Sequence, residues 1–213
     1  MEERTIEIKS RNNSKIIIGA IPGHFATNHS HVNYYIDMTK VKTQYRMAKE
    51  AAKELAKPYL GSVSIDTIIC MEGTDTIAAF LAEELGKQNH SSINSGKDIA
   101  VITPETDLNN HMIFRDNMQK YIFGKQMLLL ISTASTGVTM TRSVNCLKYY
   151  SGQLAGVASI FSAIDNYDGI PVNSIFSAND FSGYETMPLE DCSLCKSGQK
   201  LDAIVNSFGY SKI

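Results

Sequence analysis

Runs of consecutive apolar residues alternate along this chain with segments in which apolar residues recur every three or four positions. The first pattern is typical of parallel strands buried on both faces, and the second of helices that cover such a sheet. Strands are predicted at 65–71, 98–103, 127–130, 156–163 and 172–178. Helices are predicted at 41–59, at 76–85 and through 144–147. The order of these elements predicts an α/β domain.

The two ends of the chain follow different patterns. Segments 14–21 and 31–38 are predicted as early strands of a small flap, separated by a Pro-Gly-His turn at 22–24. The spacing of apolar residues over 199–208 predicts a final amphipathic helix. The polar segment 104–125 has little periodicity, and we expect a loop with a short returning hairpin there.

One predicted strand is followed by a loop with the residues of a phosphate-binding site. The apolar run 127–130 opens into a small, hydroxyl-rich loop, after which helical spacing begins. Gly137 permits backbone angles closed to other residues, and a helix start offers unpaired N–H groups with a partial positive charge. The hydroxyl groups come from Ser132, Thr133, Ser135, Thr136 and Thr139. Together these groups suit a phosphate monoester, and an ordinary turn whose Ser or Thr caps the helix remains the alternative.

Composition narrows the class of protein. Of 213 residues, 43% are hydrophobic and 20% charged, with a formal net charge of −2, which argues against disorder and against a nucleic-acid partner. The N-terminus is charged where a secretory signal needs an apolar core, and no apolar run has the length of a membrane span. We therefore expect a cytoplasmic protein without a membrane partner.

A Cys-x-x-Cys pair and three histidines raise the question of a metal. Cys192 and Cys195 have the spacing of half a zinc site, but no second Cys or His pair follows them. A turn with two unlinked thiols is the simpler interpretation, with zinc completed by distant residues or a second subunit as the alternative. His24, His29 and His31 are interpreted as parts of a polar, solvated loop, because no Cys or carboxylate stands beside them at ligand spacing.

Three segments resemble a known family. They are 23–37, with its Tyr-Tyr-Ile-Asp strand, 71–77, and the hydroxyl-rich 131–139. Together they resemble the type I phosphoribosyltransferases, most closely the orotate phosphoribosyltransferases. The resemblance implies a Rossmann-like parallel sheet flanked by helices, in a single domain spanning 1–213. It also implies a core of about 41–180 and a hood from about 1–40 plus part of the C-terminal segment.

The resemblance also implies an activity and roles for residues. Such enzymes join an orotate-like base to the ribose of phosphoribosyl pyrophosphate (PRPP) in pyrimidine synthesis or salvage, with Mg²⁺ on the pyrophosphate, and are commonly homodimers. It implies a base site in the hood at Phe25, Tyr34 and Tyr35. It implies a pyrophosphate loop at Glu72, Gly73, Thr74 and Asp75. It implies a phosphate-binding loop at Ser132, Thr133, Ser135, Thr136, Gly137 and Thr139.

The sequence departs from the family where transfer chemistry is supplied. An acidic pair that contacts the ribose hydroxyls is replaced by Ile131 and Ser132, and an apolar side chain cannot accept their hydrogen bonds. The segment matching the family's cationic mobile loop, 103–111, has two acids and one imidazole, and Asp75 adds a like charge to the pyrophosphate loop. Compensating cations cannot be placed from sequence; the candidates are Arg115, Lys120, Lys125 and Arg142.

These departures affect transfer more than phosphate binding. We expect a pocket for ribose 5-phosphate or a nucleoside monophosphate, with PRPP-dependent transfer weakened or lost, no assigned catalytic residue, and Mg²⁺ only if PRPP is used. The alternatives are an active phosphoribosyltransferase and a structural partner protein with an empty loop.

Overall fold

A computed structural model describes residues 2–88, 92–107 and 112–213. Its helices are α1 (Thr39–Thr43), α2 (Tyr45–Ala56), α3 (Asp75–Gly86), α4 (Asp116–Gln119), α5 (Val138–Tyr149) and α6 (Ser193–Lys196). Its first seven strands are β1 (Ile6–Lys9), β2 (Ile17–Ala26), β3 (Ser30–Asp37), β4 (Thr67–Cys70), β5 (Ala100–Ile102), β6 (Glu105–Thr106) and β7 (Met112–Ile113). The others are β8 (Gln126–Ala134), β9 (Gln153–Ser162), β10 (Asn166–Tyr167), β11 (Ile170–Ser177), β12 (Thr186–Pro188), β13 (Ala203–Asn206) and β14 (Gly209–Lys212).

The central sheet has the strand order β10-β11-β9-β8-β4-β5. All of its strands except β10 run parallel to one another. Side chains of β8 alternate between two apolar cores. Leu128 and Leu130 pack on the α2 and α3 side, whereas Leu129 and Ile131 pack on the α5 side. Burial on both faces explains the continuous apolar runs. The predicted α/β class, with helices flanking a parallel sheet, is confirmed.

The helix predicted at 41–59 is broken in two. Gln44 has an extended backbone (ψ 111°), so α1 ends there and α2 begins at the next residue. In α2, Ala48, Ala52 and Leu55 are buried in the apolar core on the α2 and α3 side of the sheet. A 3-10 turn over Lys57–Tyr59 follows. Pro58 stands where the helix ends, as expected from its missing N–H group.

A second sheet joins the two ends of the chain in the order β12-β3-β2-β13-β14, with β1 on β2. The predicted turn at 22–24 is wrong, because Pro22, Gly23 and His24 lie inside β2, where the pairing register with β3 shifts. A bulge accommodates a proline that cannot donate to the ladder. The turn instead spans Thr27 to Ser30, where Thr27 N donates to Ser30 O at 2.8 Å.

The C-terminal helix predicted over 199–208 is wrong, since β13 and β14 form a hairpin there. Ala203 and Val205 are buried while Ile204 and Asn206 are exposed, which is the alternation of a strand. The turn is set by Asn206, whose Oδ1 accepts from Phe208 N (2.8 Å) and Gly209 N (3.1 Å). β13 then pairs in parallel with β2.

The expected returning hairpin after 103 is present, with β6 and β7 antiparallel. The tip of the segment compared with a mobile loop, residues 108–111, lies outside the described residues. None of the described helices is long and apolar enough to cross a membrane.

Candidate functional site

A cleft of about 580 Å³ lies at the carboxyl ends of β4 and β8 and is covered by the second sheet. Its walls come from β3, from the loop after β4, from the β8–α5 loop and from the β13–β14 turn. The carboxyl ends of parallel strands are where open α/β sheets bind ligands. The sequence therefore brings three of its predicted site segments to one cavity.

The β8–α5 loop presents unpaired donors at a helix start. Gly137 has φ 76°, a left-handed conformation, and immediately precedes α5. No side chain caps this helix. In the described part of the chain, the backbone N–H groups of Gly137, Val138, Thr139 and Met140 donate to no protein group. Four aligned donors at the positive end of a helix favour an anion.

The hydroxyl groups predicted in this loop divide into two sets. Thr133, Ser135, Thr136 and Thr139 line the cleft, and a smaller pocket of about 20 Å³, roughly the space of one water molecule, lies against the same loop. Ser132 does not line the cleft. Its side chain is fully buried, and its Oγ donates to Glu72 Oε2 at 2.7 Å.

The loop after β4 has an irregular backbone. Glu72 (φ 61°) and Gly73 (φ 75°) are both left-handed, and both line the cleft. Thr74 is buried and donates to Met71 O at 2.8 Å, so its hydroxyl group shapes the loop. Asp75 lines the cleft at the start of α3, and its Oδ1 accepts a hydrogen bond from Thr103 Oγ1. Both carboxylates of this segment thus already accept hydrogen bonds from protein hydroxyls.

Of the four cations that the sequence could not place, Arg142 lines the cleft. It lies on α5, one turn after Thr139. Arg115 is paired with Glu105 at 2.5 Å on the surface, and Lys120 Nζ lies 4.9 Å from the centroid of the Tyr121 ring. Arg142 therefore brings a positive charge into the cleft from the helix that begins at the unpaired amides.

A second cation, Lys42 on α1, holds two segments of the cleft wall together. The sequence analysis did not identify it. Its Nζ donates to Glu72 O at 3.2 Å and to Ser207 O, and lies 5.8 Å from the centre of the Phe208 ring. Burial lowers the pKa of Lys42, while the carboxylates of Glu72 and Asp37 oppose that shift. Lys42 joins the loop after β4 to the β13–β14 turn.

The residues predicted for the base site are placed differently from one another. Phe25 is fully buried in the core of the second sheet, 6.2 Å from Tyr35 between ring centroids, and does not line the cleft. Tyr34 and Tyr35 both line it. Burial, with Asp37 and Tyr210 nearby, raises the pKa of Tyr35 to about 12, so its phenol stays protonated at neutral pH. Tyr34 Oη donates to Ser182 O at 3.2 Å.

Two further cleft residues escaped sequence reasoning. Phe208, 75% exposed at the tip of the β13–β14 turn, lines the cleft beside Gly73. The helix predicted over this segment concealed it. Ser143 on α5 lines the cleft with a buried Oγ that has no partner in the described residues. The four-residue spacing from Thr139 to Ser143 was the available signal, because it places both on one helix face.

The chain is similar to known proteins in fold and not detectably in sequence. No family model and no curated protein matches the sequence. Solved structures do match: a phosphoribosyltransferase from Corynebacterium diphtheriae (18% identity, 76% of this chain and 89% of that one, TM-score 0.53) and an adenine phosphoribosyltransferase from Thermoanaerobacter pseudethanolicus (14%, 83% and 96%, 0.51). The orotate phosphoribosyltransferase of Mycobacterium tuberculosis, solved with PRPP, matches at 15% identity over 70% and 83%, TM-score 0.50. The chain has the type I phosphoribosyltransferase fold.

Within this phosphoribosyltransferase fold, the positions compared with the acidic pair face away from the cleft. Ile131 is fully buried in the α5-side core, and Ser132 is covered by the Glu72 carboxylate. Thr133 is the first residue of the strand end that reaches the cavity.

The interpretation of the histidines as a solvated loop is wrong for two of the three. His24 is fully buried and His31 is 9% exposed, whereas His29 is exposed in the turn and lines the cleft. The side chains of Cys192 and Cys195 lie against His24 and His31. Residues 168 positions apart form this contact, so no local spacing in the sequence could have revealed it.

Proposed function

We propose that this chain binds ribose 5-phosphate or a nucleoside monophosphate through the β8–α5 loop, with PRPP-dependent transfer weakened or lost. The observation that carries the proposal is the uncapped start of α5, where unpaired amides, cleft-facing hydroxyls and Arg142 meet. A phosphate monoester has the charge and the acceptor oxygens that these donors need.

Weak transfer is inferred from the two replaced positions. Displacement at an anomeric carbon needs a firmly held ribose and stabilisation of the departing charge. Ile131 offers no hydrogen-bond acceptor, and the Ser132 hydroxyl is already donated to Glu72. Ribose hydroxyls would therefore lose charge-assisted partners at this edge of the cleft.

Magnesium is the cofactor that PRPP chemistry implies, and the described residues fit it poorly. Mg²⁺ prefers six oxygen ligands in octahedral geometry, usually with one or two carboxylates. The two carboxylates of the loop after β4 belong to Glu72 and Asp75, and they accept from Ser132 and Thr103. We propose that Mg²⁺ matters only when PRPP itself carries it into the cleft.

A nucleoside monophosphate also needs a surface for its base. The exposed ring of Phe208 and the ring of Tyr34 line the cleft from the second sheet. Aromatic faces stack on bases without strong preference among them. We therefore assign the base contact to these two rings rather than to the buried Phe25.

The activity test is direct. Purified chain is supplied with PRPP, Mg²⁺ and orotate, uracil or adenine, and base consumption is followed against an active orotate phosphoribosyltransferase. We expect no consumption above the level without protein. Turnover with any of these bases would favour the alternative, an active phosphoribosyltransferase. A chain that binds neither ribose 5-phosphate nor nucleoside monophosphates would favour the purely structural role.

Arg142→Gln is expected to weaken binding of ribose 5-phosphate about tenfold or more, because a hydrogen bond to a charged group contributes about 1.5–3 kcal/mol. Calorimetric titration measures this change. Lys148→Gln, on the same helix but outside the cleft lining, is the matched control and should bind like the unmodified chain. Equal losses in both variants would indicate a general electrostatic effect and remove Arg142 from the site.

Phe208→Ala is expected to weaken binding of a nucleoside monophosphate about tenfold, since loss of one stacked base contact costs about 1–3 kcal/mol. Binding of ribose 5-phosphate should be unchanged, because it has no base. Tyr149→Ala removes an equally exposed ring (82% exposed) outside the cleft lining and serves as the control. A parallel loss for both ligands would contradict the assignment of the base contact.

We further propose a homodimer, as the fold resemblance implies. Light scattering of the purified chain measures its mass directly, and a mass equal to that of one chain would reject the proposal.

A further inference from the structure

Four side chains with metal-binding atoms meet beneath the second sheet, away from the phosphate loop. His24 belongs to β2, His31 to β3, and Cys192 and Cys195 to the short segment around α6. Their ligand atoms all lie within 4.8 Å of one another. The two thiols are not linked in a disulfide. Three separate segments of the chain thus converge on one small volume.

Four of the six distances between these atoms are close to the edges of a tetrahedron around one metal ion, and the other two are no longer than 4.8 Å. Tetrahedral zinc bonds imply edges of about 3.3 Å between two nitrogens and about 3.6 Å between nitrogen and sulfur. The nitrogens of His24 and His31 are 3.0 Å apart. Nitrogen–sulfur distances are 3.4 Å from His24 to Cys192, 3.6 Å from His24 to Cys195 and 3.3 Å from His31 to Cys195. These four separations fit a single ion bound between the atoms.

The ring of His24 is held in the orientation that a ligand needs. Its Nδ1 lies 2.8 Å from Gln199 O and donates to that carbonyl, which leaves the lone pair of Nε2 directed at the other three residues. The backbone N–H group of His24 donates to Asp202 Oδ2 at 2.9 Å. A histidine that binds metal through one nitrogen characteristically donates from the other to a carbonyl or carboxylate.

The Cys-x-x-Cys segment forms a compact loop around its thiols. Cys195 N lies 3.4 Å from Cys192 Sγ and donates to it. Gly198, in a left-handed conformation (φ 78°), turns the chain back, and its N–H group donates to Cys195 O at 2.9 Å. A backbone N–H group directed at sulfur stabilises a thiolate, which is the form that binds a metal.

Hydrogen bonding alone cannot account for all the short contacts in this cluster at once. With Nδ1 of His24 donating to Gln199, Nε2 has a single lone pair. Three groups lie around that lone pair, namely His31 Nδ1, Cys192 Sγ and Cys195 Sγ. One lone pair cannot accept from all three. A bound cation removes the conflict, because all four atoms then act as ligands.

We propose that His24, His31, Cys192 and Cys195 bind one Zn²⁺ in a closed structural site. Two thiolates and two imidazoles are a donor set that zinc occupies in tetrahedral geometry, and four protein ligands leave no open position for catalysis. The metal joins the C-terminal segment to the β2–β3 hairpin. His24 and His31 lie on either side of the Thr27–Ser30 turn, which lines the cleft, so the ion also holds that wall in place.

The test begins with the full-length chain, purified under reducing conditions after growth with zinc. Elemental analysis should find one Zn²⁺ per chain, and X-ray absorption should show two sulfurs at about 2.3 Å and two nitrogens at about 2.0 Å. Cys195→Ser and His31→Asn should lose most of the zinc. The matched controls are Cys146→Ser, on α5, and His29→Asn, in the turn but outside the cluster; both should retain it.

Stability gives a second readout that does not depend on any ligand of the cleft. A strong chelator should lower Tm by about 10 °C in the unmodified chain. Mass action predicts a shift of about this size when the metal concentration is far above the Kd. It should leave the Tm of Cys195→Ser unchanged. A chain that takes up no zinc on reconstitution, or zinc retained in full by Cys195→Ser, would overturn the site. If that variant does not fold, the ligand shell measured in the unmodified chain decides.

Discussion

Ser132→Asp is expected to reduce the free energy of unfolding by about 3–5 kcal/mol, because it buries a second carboxylate against the first. The Ser132 side chain is fully buried, and its Oγ lies 2.7 Å from Glu72 Oε2. A single acid added at 132 therefore meets the Glu72 carboxylate and not an open cleft. Denaturant unfolding measures the loss.

The same structure specifies the rescue. Glu72→Gln in the Ser132→Asp background replaces one carboxylate by an amide that can donate to the new acid, and it should recover most of the lost stability. Ser159→Asp is the control, since Ser159 on β9 is equally buried and does not bond to Glu72. Glu72→Gln should not rescue it. Rescue of both variants, or of neither, would contradict the pairing of Glu72 with Ser132.

Gly137→Val should weaken binding of ribose 5-phosphate about 100-fold, because two or more amide bonds to a charged group are lost when the loop shifts. A Cβ at Gly137 meets only Ile164 and Met140, at 3.6 and 3.9 Å, so space is not the obstacle. The strain comes from φ 76°, which a β-branched residue adopts at a cost of about 1–2 kcal/mol. Calorimetric titration gives the affinity.

Gly124→Val is the control for that strain. Gly124 also has a left-handed backbone (φ 67°) and open space around it, and it does not line the cleft. Both variants should lose similar stability, and only Gly137→Val should lose affinity. Unchanged affinity in Gly137→Val would show that the phosphate does not depend on the geometry of this loop.

The central sheet could be predicted from sequence because burial on both faces leaves a direct signature. The apolar runs that became β4, β8 and β9 have few polar residues, as expected of strands covered on both faces. The C-terminal hairpin could not be predicted in this way. Leu201, Ile204 and Phe208 are spaced as in a helix, and the turn made by the Asn206 side chain outweighed that spacing.

The candidate site was predictable where one loop carries it and not where distant segments meet. Thr133 to Thr139 are adjacent in sequence, so their hydroxyl groups and Gly137 could be recognised together. Lys42 joins two segments of the cleft wall that are distant in sequence, and its role rests on contacts with backbone carbonyls that no residue pattern encodes. The cluster of two histidines and two cysteines was also not predictable, because its residues come from segments that are distant in sequence.

Calorimetric titration of the purified chain with ribose 5-phosphate, ribose, and PRPP with Mg²⁺ tests the central claim most directly. We expect ribose 5-phosphate to bind at one site per chain, ribose to give no measurable binding, and Mg²⁺ to add little to the affinity for PRPP. Binding of PRPP that is tight and depends on Mg²⁺, or ribose 5-phosphate that binds no better than ribose, would contradict it.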